Sequence, residues 1–152
     1  MTDRMEIRRL TRSDLVVARE LFTLMAQVFD EQTRPLGDGY VGRLLARSDF
    51  WAVAAFSDGA VVGGLTAHTL PMTTSESSEI FIYDVAVRAD RQRQGIGRGL
   101  IGALRDMAAA QGIHDLFVPA DDEDAHALEF YRALGATATP VTFFAFSRRQ
   151  GD

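Results

Sequence analysis

The feature that most constrains this chain is residues 79–101, where a strand-forming run meets a glycine-rich turn and then a helical pattern. Residues 79–87 are dense in Ile, Phe, Tyr and Val, the composition of a strand. The turn reads Arg91-Gln92-Arg93-Gln94-Gly95-Ile96-Gly97-Arg98-Gly99. Residues 99–111 then set Leu100, Ile101, Leu104 and Met107 on one helical face, and Gly112 ends the pattern. The first N–H groups of a helix are unpaired and carry partial positive charge, so strand, turn and helix together suit a phosphate. Gly95 and Gly97 remove side chains that would hold a pyrophosphate off the backbone, and Arg91, Arg93 and Arg98 add charge.

Two common nucleotide patterns fail here. The P-loop needs Gly-Lys followed by Ser or Thr, which this stretch lacks. The dinucleotide pattern Gly-x-Gly-x-x-Gly has Leu100 in its third position. What fits is Gln92-x-x-Gly95-x-Gly97.

The remaining chain supplies a fold around that turn. A length of 152 residues with 47% hydrophobic content suits one domain with a real core, spanning 1–152. Residues 5–10 read as a strand. Thr11 or Ser13 can cap a helix carrying Leu15, Ala18, Leu21, Phe22 and Met25. A loop over 30–39 precedes a short helix over 40–47. Strands over 50–56 and 60–70 flank the hairpin turn Ser57-Asp58-Gly59. A polar loop covers 71–78. A strand over 114–119, a helix over 124–134 closed by Gly135, and one or two strands within 136–147 complete the order β-α-α-β-β-β-α-β-α-β. That order predicts an α/β (α+β) mixed sheet with helices on both faces.

Composition excludes several functions. Without cysteine there is no disulfide framework, thiolate metal site or cysteine nucleophile. His68, His114 and His126 have no metal-ligand spacing, so no metal is expected. No run approaches the roughly 20 apolar residues that span a bilayer, and the first residues lack a signal-peptide pattern. The expectation is a cytoplasmic protein with no membrane partner. A net charge of −5 disfavours nucleic acid and suits a cationic small molecule.

The phrase from Tyr83-Asp84-Val85-Ala86-Val87 through Gln92-Arg93-Gln94-Gly95-Ile96-Gly97 resembles the acetyl-CoA motif of the GNAT acetyltransferase superfamily. The resemblance implies acetyl-CoA as cofactor and a central sheet whose fourth and fifth strands splay apart. It implies that backbone groups of Val85, Ala86 and Val87 meet the pantetheine arm. Turn residues Gln92, Arg93, Gln94, Gly95, Ile96, Gly97 and Arg98 would meet the pyrophosphate. Ala127-Leu128-Glu129-Phe130-Tyr131-Arg132-Ala133-Leu134-Gly135 resembles the superfamily's late motif, which puts the Tyr131 hydroxyl near the cofactor sulfur as a proton donor. A core tyrosine is the alternative.

A narrower resemblance is to the gentamicin-type aminoglycoside 3-N-acetyltransferases. It is carried by Tyr40-Val41-Gly42-Arg43-Leu44-Leu45, Ala54-Ala55-Phe56, Val61-Val62-Gly63-Gly64-Leu65, residues 78–87, and Ala120-Asp121 with Asp124. The chain departs from that pattern at 31–39, Asp122-Glu123 and His126, segments that by the resemblance would border the substrate. An aminoglycoside carries several ammonium groups, and its pocket should be lined with carboxylates. Asp30, Glu31, Asp84, Asp121 and Asp124, with Tyr83, are the candidate substrate contacts. Asp38, Glu79, Asp122 and Glu123 complete the set of nearby acids. Asp124 reads equally as a helix cap, and Asp30 and Glu31 equally as solvated surface.

An amine must lose a proton before it attacks a thioester. Asp84 is the first candidate for that base and Glu79 the reserve. A backbone N–H, that of Val85, would stabilise the developing oxyanion. Direct transfer within a ternary complex follows, since no nucleophile for a covalent intermediate is evident. Two other readings stay open: an acetyltransferase for a polyamine or protein N-terminus, and a non-catalytic acyl-CoA-binding module. Dimerisation is common for this fold, and the last strands are the candidate homodimer interface.

Overall fold

The computed structural model describes residues 4–32 and 34–148, which fall into two compact units divided between Pro119 and Ala120. The first unit holds β1 (Met5–Arg9), α1 (Leu15–Val28), α2 (Asp38–Ala46), β2 (Phe50–Ser57), β3 (Ala60–Pro71), β4 (Ser78–Val87), a 3-10 turn (Ala89–Arg91), α3 (Ile96–Ala110) and β5 (Asp115–Phe117). Its five strands lie in sheet order β1-β2-β3-β4-β5. The first three junctions are antiparallel and β4–β5 is parallel. This is the expected mixed sheet.

Cross-strand neighbours share a face, so the register assigns the layers. Arg8, Ala54, Gly64 and Ala86 form one row, and Ile7, Ala55, Gly63 and Val87 the next. On the first face α1 and α2 pack Ala18, Leu21, Met25, Val41 and Leu45 against Phe50, Ala52, Ala54 and Ala86. On the second, α3 brings Ile96 over Gly63 and Gly99 over Ile7. Trp51, Val53, Leu65, Leu100 and Leu104 are fully buried. The β2–β3 hairpin turns at Asp58 and Gly59, both at positive φ (50° and 87°), the geometry of the tight primed turn the sequence predicts.

Several boundaries depart from the sequence pattern. Helix α1 begins after Asp14, and no side chain caps it in the manner expected of Thr11 or Ser13. Asp14 instead accepts from both terminal nitrogens of Arg8 (3.0 Å each) and from the Thr11 N–H (2.8 Å), so the cap position serves as a strand-to-helix clasp. Helix α2 starts at Asp38, two residues before the expected bound, and Asp38 pairs with Arg19 of α1. Helix α3 starts at Ile96 rather than at 99, because Gly95 at φ 82° allows the chain to enter the helix directly from the turn. Strand β5 keeps only three of the six residues expected over 114–119.

The second unit contains α4 (Ala125–Ala133), capped by Asp124 and closed by Gly135 at φ 90°. Taken by itself, this unit assigns no strand to residues 136–148, where one or two were expected. No described residue of this unit is buried.

Candidate active site

The turn between β4 and α3 is held from its own residues. Gln92 donates its side-chain amide to the Val87 carbonyl at 3.1 Å, and Arg91 donates to Gln94 Oε1 (2.9 Å) and to the Ser57 hydroxyl (3.0 Å). Those bonds leave Arg93 at φ 64° and Gly95 at φ 82°. Left-handed residues beside a helix start gather N–H groups into a concavity that suits an anion. No side chain caps α3, and the first intrahelical bond is Gly99 N–H to the Gly95 carbonyl. A Cβ placed on Gly95 would meet nothing within 4 Å, so the space in front of the turn is open. Arg93 and Arg98 are exposed and make no ion pair among the described residues, whereas Arg88 is held by Asp90 (2.6 Å). An uncapped helix start, an open concavity and two uncommitted guanidiniums fit a pyrophosphate.

The end of β4 offers a second set of groups. Parallel pairing with β5 runs only from Glu79–Asp115 to Phe81–Phe117. From Ile82 to Val87 one side of β4 has no strand partner among the described residues. Arg88 N–H donates to the Val62 carbonyl at 2.8 Å. Antiparallel residues alternate in which side their N–H and C=O face, so Val85 and Val87 turn theirs away from β3, to the free side. Ala86, between them, turns its backbone to β3 and its methyl into the core (2% exposed). The Val87 carbonyl is the one Gln92 engages, so the Val85 N–H and C=O are the free pair.

The register also contains a bulge. Thr66 pairs with Asp84 but Ala67 pairs with Ile82, which leaves Tyr83 as an extra residue in β4. Simple alternation would set Phe81 and Asp84 on opposite faces. The bulge puts both on the α1 face, since Phe81 stands opposite His68 and Asp84 opposite Thr66, in the rows of Phe50 and Ala52. An aromatic row results. His68 contacts Phe50 (ring centroids 5.5 Å) and Tyr83 (6.3 Å), and Phe81 contacts Tyr83 (5.7 Å) and Phe117 (5.2 Å). Tyr83 is 61% exposed at its centre. The sequence reading included Tyr83 but not Phe50, His68, Phe81 or Phe117. Strand pairing alone assembles them.

Burial pushes the Asp84 carboxyl above the ordinary carboxylate range, and the Glu31 carboxylate pushes it the same way. A carboxyl whose charge is disfavoured by burial and by a neighbouring carboxylate is a ready partner for a cation. Glu31 is placed by the end of α1, where its N–H reaches back to the Ala26 carbonyl (2.9 Å) and Asp30 adopts the left-handed conformation (φ 51°) that closes such a helix end. Asp30 therefore has a backbone role. Glu79 lies at the other end of β4, in its paired part and five residues, roughly 16 Å, from Asp84.

In the second unit Asp121 accepts from the Glu123 N–H (2.9 Å) and Asp124 caps α4 through the Ala127 N–H (3.1 Å). Both take the helix-start role the sequence allowed. Tyr131 stacks edge-on with Phe130 at 5.0 Å. No group of metal-ligating side chains occurs among the described residues, and none of their helices is long and apolar enough to cross a membrane.

The family model described as acetyltransferase (GNAT) matches residues 16–136. Among solved structures, meta-AAC0020, an aminoglycoside acetyltransferase from an uncultured soil metagenomic sample, in complex with sisomicin, is 33% identical, with 95% of this chain and 97% of that one covered and a TM-score of 0.89. A second aminoglycoside acetyltransferase from an uncultured soil metagenomic sample, HMB0005, is 32% identical over 95% and 99% of the chains, with a TM-score of 0.88. The aminoglycoside N-acetyltransferase AAC(6')-Iy in complex with CoA, at 18% identity, 98% of each chain and a TM-score of 0.79, shares the fold. No curated protein matches.

Proposed function

This chain belongs to the acetyltransferase (GNAT) family, and on that premise we propose that it acetylates an amine of an aminoglycoside, at the 3-amino group. Acetyl-CoA is the cofactor, and when bound it supplies the acetyl group as an activated thioester. The observation that carries the substrate reading is the pairing of Asp84, whose carboxyl is raised by burial and by the Glu31 carboxylate, with the aromatic row on one face of the sheet. Carboxylates pair with ammonium groups, and aromatic faces cover the apolar sides of sugar rings. The sisomicin complex of meta-AAC0020 supports the same class.

Each residue then has a task. The N–H groups at Gly95, Ile96, Gly97 and Arg98, with the Arg93 guanidinium, hold the pyrophosphate, while Gln92 and Gln94 fix the turn. Val85, freed on one side, presents its N–H to the developing oxyanion and its carbonyl to an amide of the pantetheine arm. Asp84 holds the substrate ammonium and takes its proton, a role suited by a carboxyl already pushed upward. Glu31 and Tyr83 hold the rest of the drug, with Asp121 as a further carboxylate. Tyr131 holds a proton for the departing sulfur. Glu79 is left as a strand-end acid. We read the enzyme as a cytoplasmic homodimer that binds no nucleic acid.

Thiol release from acetyl-CoA, measured with sisomicin, gentamicin and spermidine side by side, tests the reading. Turnover with the aminoglycosides and not with spermidine is expected, and NMR of the product should place the acetyl on the 3-amino nitrogen. Turnover confined to spermidine would replace the drug by a polyamine. Acetylation at another aminoglycoside nitrogen would keep the class and remove the regiochemistry.

A further inference from the structure

Strand β2 is apolar from Phe50 to Phe56 and closes on one hydroxyl, Ser57, which is 6% exposed. Its cross-strand neighbours are Met5 and Ala60, whose side chains carry no donor for it. A buried hydroxyl is costly unless it is hydrogen-bonded. Ser57 meets that need across 34 residues of sequence, by accepting from Arg91 Nη1 at 3.0 Å. The same guanidinium donates from Nε to Gln94 Oε1 at 2.9 Å.

We propose that Ser57 is a positioning residue for acetyl-CoA, acting through Arg91 on the turn over 92–98, an assignment that rests on that turn being the diphosphate cradle. The N–H groups of a guanidinium lie in one plane at fixed angles. A bond from one nitrogen to a fixed point therefore sets the plane and aims the others. Ser57 is such a point. It pairs with Met5 of β1. The next residue, Asp58, donates its N–H to the Arg4 carbonyl (3.0 Å) and accepts the Arg4 N–H on its carboxylate (3.2 Å).

Arg91, so aimed, holds Gln94, and Gln92 in turn holds the Val87 carbonyl at 3.1 Å. Between the two glutamines stands Arg93, at φ 64°. A residue with a side chain is strained there and persists only where its surroundings over-determine it. Such strain clusters at ligand-binding turns, and here it gathers N–H groups toward an anion. Both flanks of Arg93 are held by side-chain bonds, and Ser57 extends that hold to the sheet. The cradle then keeps its shape before the cofactor arrives. Preorganisation of this kind raises affinity by removing the ordering cost of binding.

Titration calorimetry with coenzyme A on the full-length chain tests the anchor. Ser57→Ala should weaken binding by about three- to tenfold, the share of a charge-assisted hydrogen bond that reaches the turn. In an Arg91→Met background Ser57→Ala should weaken it no further, since the hydroxyl acts through the guanidinium. Amides of 92–98 should exchange faster in Ser57→Ala, with those of α1 unchanged. Where Ser57→Ala does not fold, Ser57→Cys, close in size but a weak acceptor, takes its place. Wild-type affinity in the folded variant, equal losses in both backgrounds, or unchanged exchange over 92–98 would each overturn the anchor and leave the cradle standing. A wild type that does not bind coenzyme A would remove both.

Discussion

Phe81 and Asp84, three residues apart in one strand, point to the same face of the sheet because Tyr83 is inserted between the pairs Ala67–Ile82 and Thr66–Asp84. One extra residue thus brings the acid under an aromatic row. It does so in the part of β4 that β5 has left, where Val85 has free backbone groups. The raised carboxyl, the aromatic row and the free backbone pair are three consequences of how one strand pairs.

Asp84→Asn separates activity from stability. The amide cannot take a proton, so turnover should fall by about 10²–10⁴. The folded-state carboxyl lies above its unfolded value, so ionisation of Asp84 works against folding. That penalty is absent below about pH 4, grows as pH rises through the folded-state value, and is complete above it. The variant should therefore melt higher than the wild type at pH 7.5, and the gap should close toward pH 4. Calorimetric scans with thiol-release assays check both, and full activity in the variant would remove Asp84 as the base.

Glu31→Gln removes a charge that raises Asp84. The acid limb of kcat/KM against pH should then move to lower pH, since Asp84 ionises more readily. KM for the aminoglycoside should rise, because one ammonium partner is lost. An acid limb that stays in place would show that the two carboxylates are not coupled in the working enzyme.

Gly95→Ala tests the phosphate cradle. At φ 82° an alanine costs about 1–2 kcal/mol, although a Cβ meets no neighbour. Relaxation of the turn should weaken coenzyme A by roughly tenfold. Titration calorimetry measures this directly, and wild-type affinity in the variant would discard the cradle.

Gly64→Ala should act on stability alone. A Cβ there would overlap the Leu21 methyls and come within 2.7 Å of the Val53 carbonyl. Overpacking of this kind costs about 1–3 kcal/mol, readable as a lower urea midpoint. KM for acetyl-CoA should not change, because the contact lies under α1 and away from the turn.

The local features were legible because they depend on neighbours in sequence. The Asp58-Gly59 hairpin, the α3 apolar face, the Gly95 turn and the Asp124 cap all use residues within a few positions of one another. The late strands are a different case, since the second unit taken by itself assigns none there. Residues 141–146 have strand composition, but a strand exists only where an edge accepts it, and composition does not report edges. Asp14 was passed over as the α1 cap position because its partner Arg8 belongs to the preceding strand.

By itself the sequence determined that strand, glycine turn and helix would meet at Gly95, and that Asp84 would stand eleven residues upstream, in the strand. Both follow from backbone conformation and local spacing. Only the tertiary structure decided which face Asp84 occupies, that Phe50, His68 and Phe117 join it, and that Glu31 from the end of α1 shares its field. Those relations depend on register across four strands. A shift of one residue reverses every side chain, and no single segment carries that information.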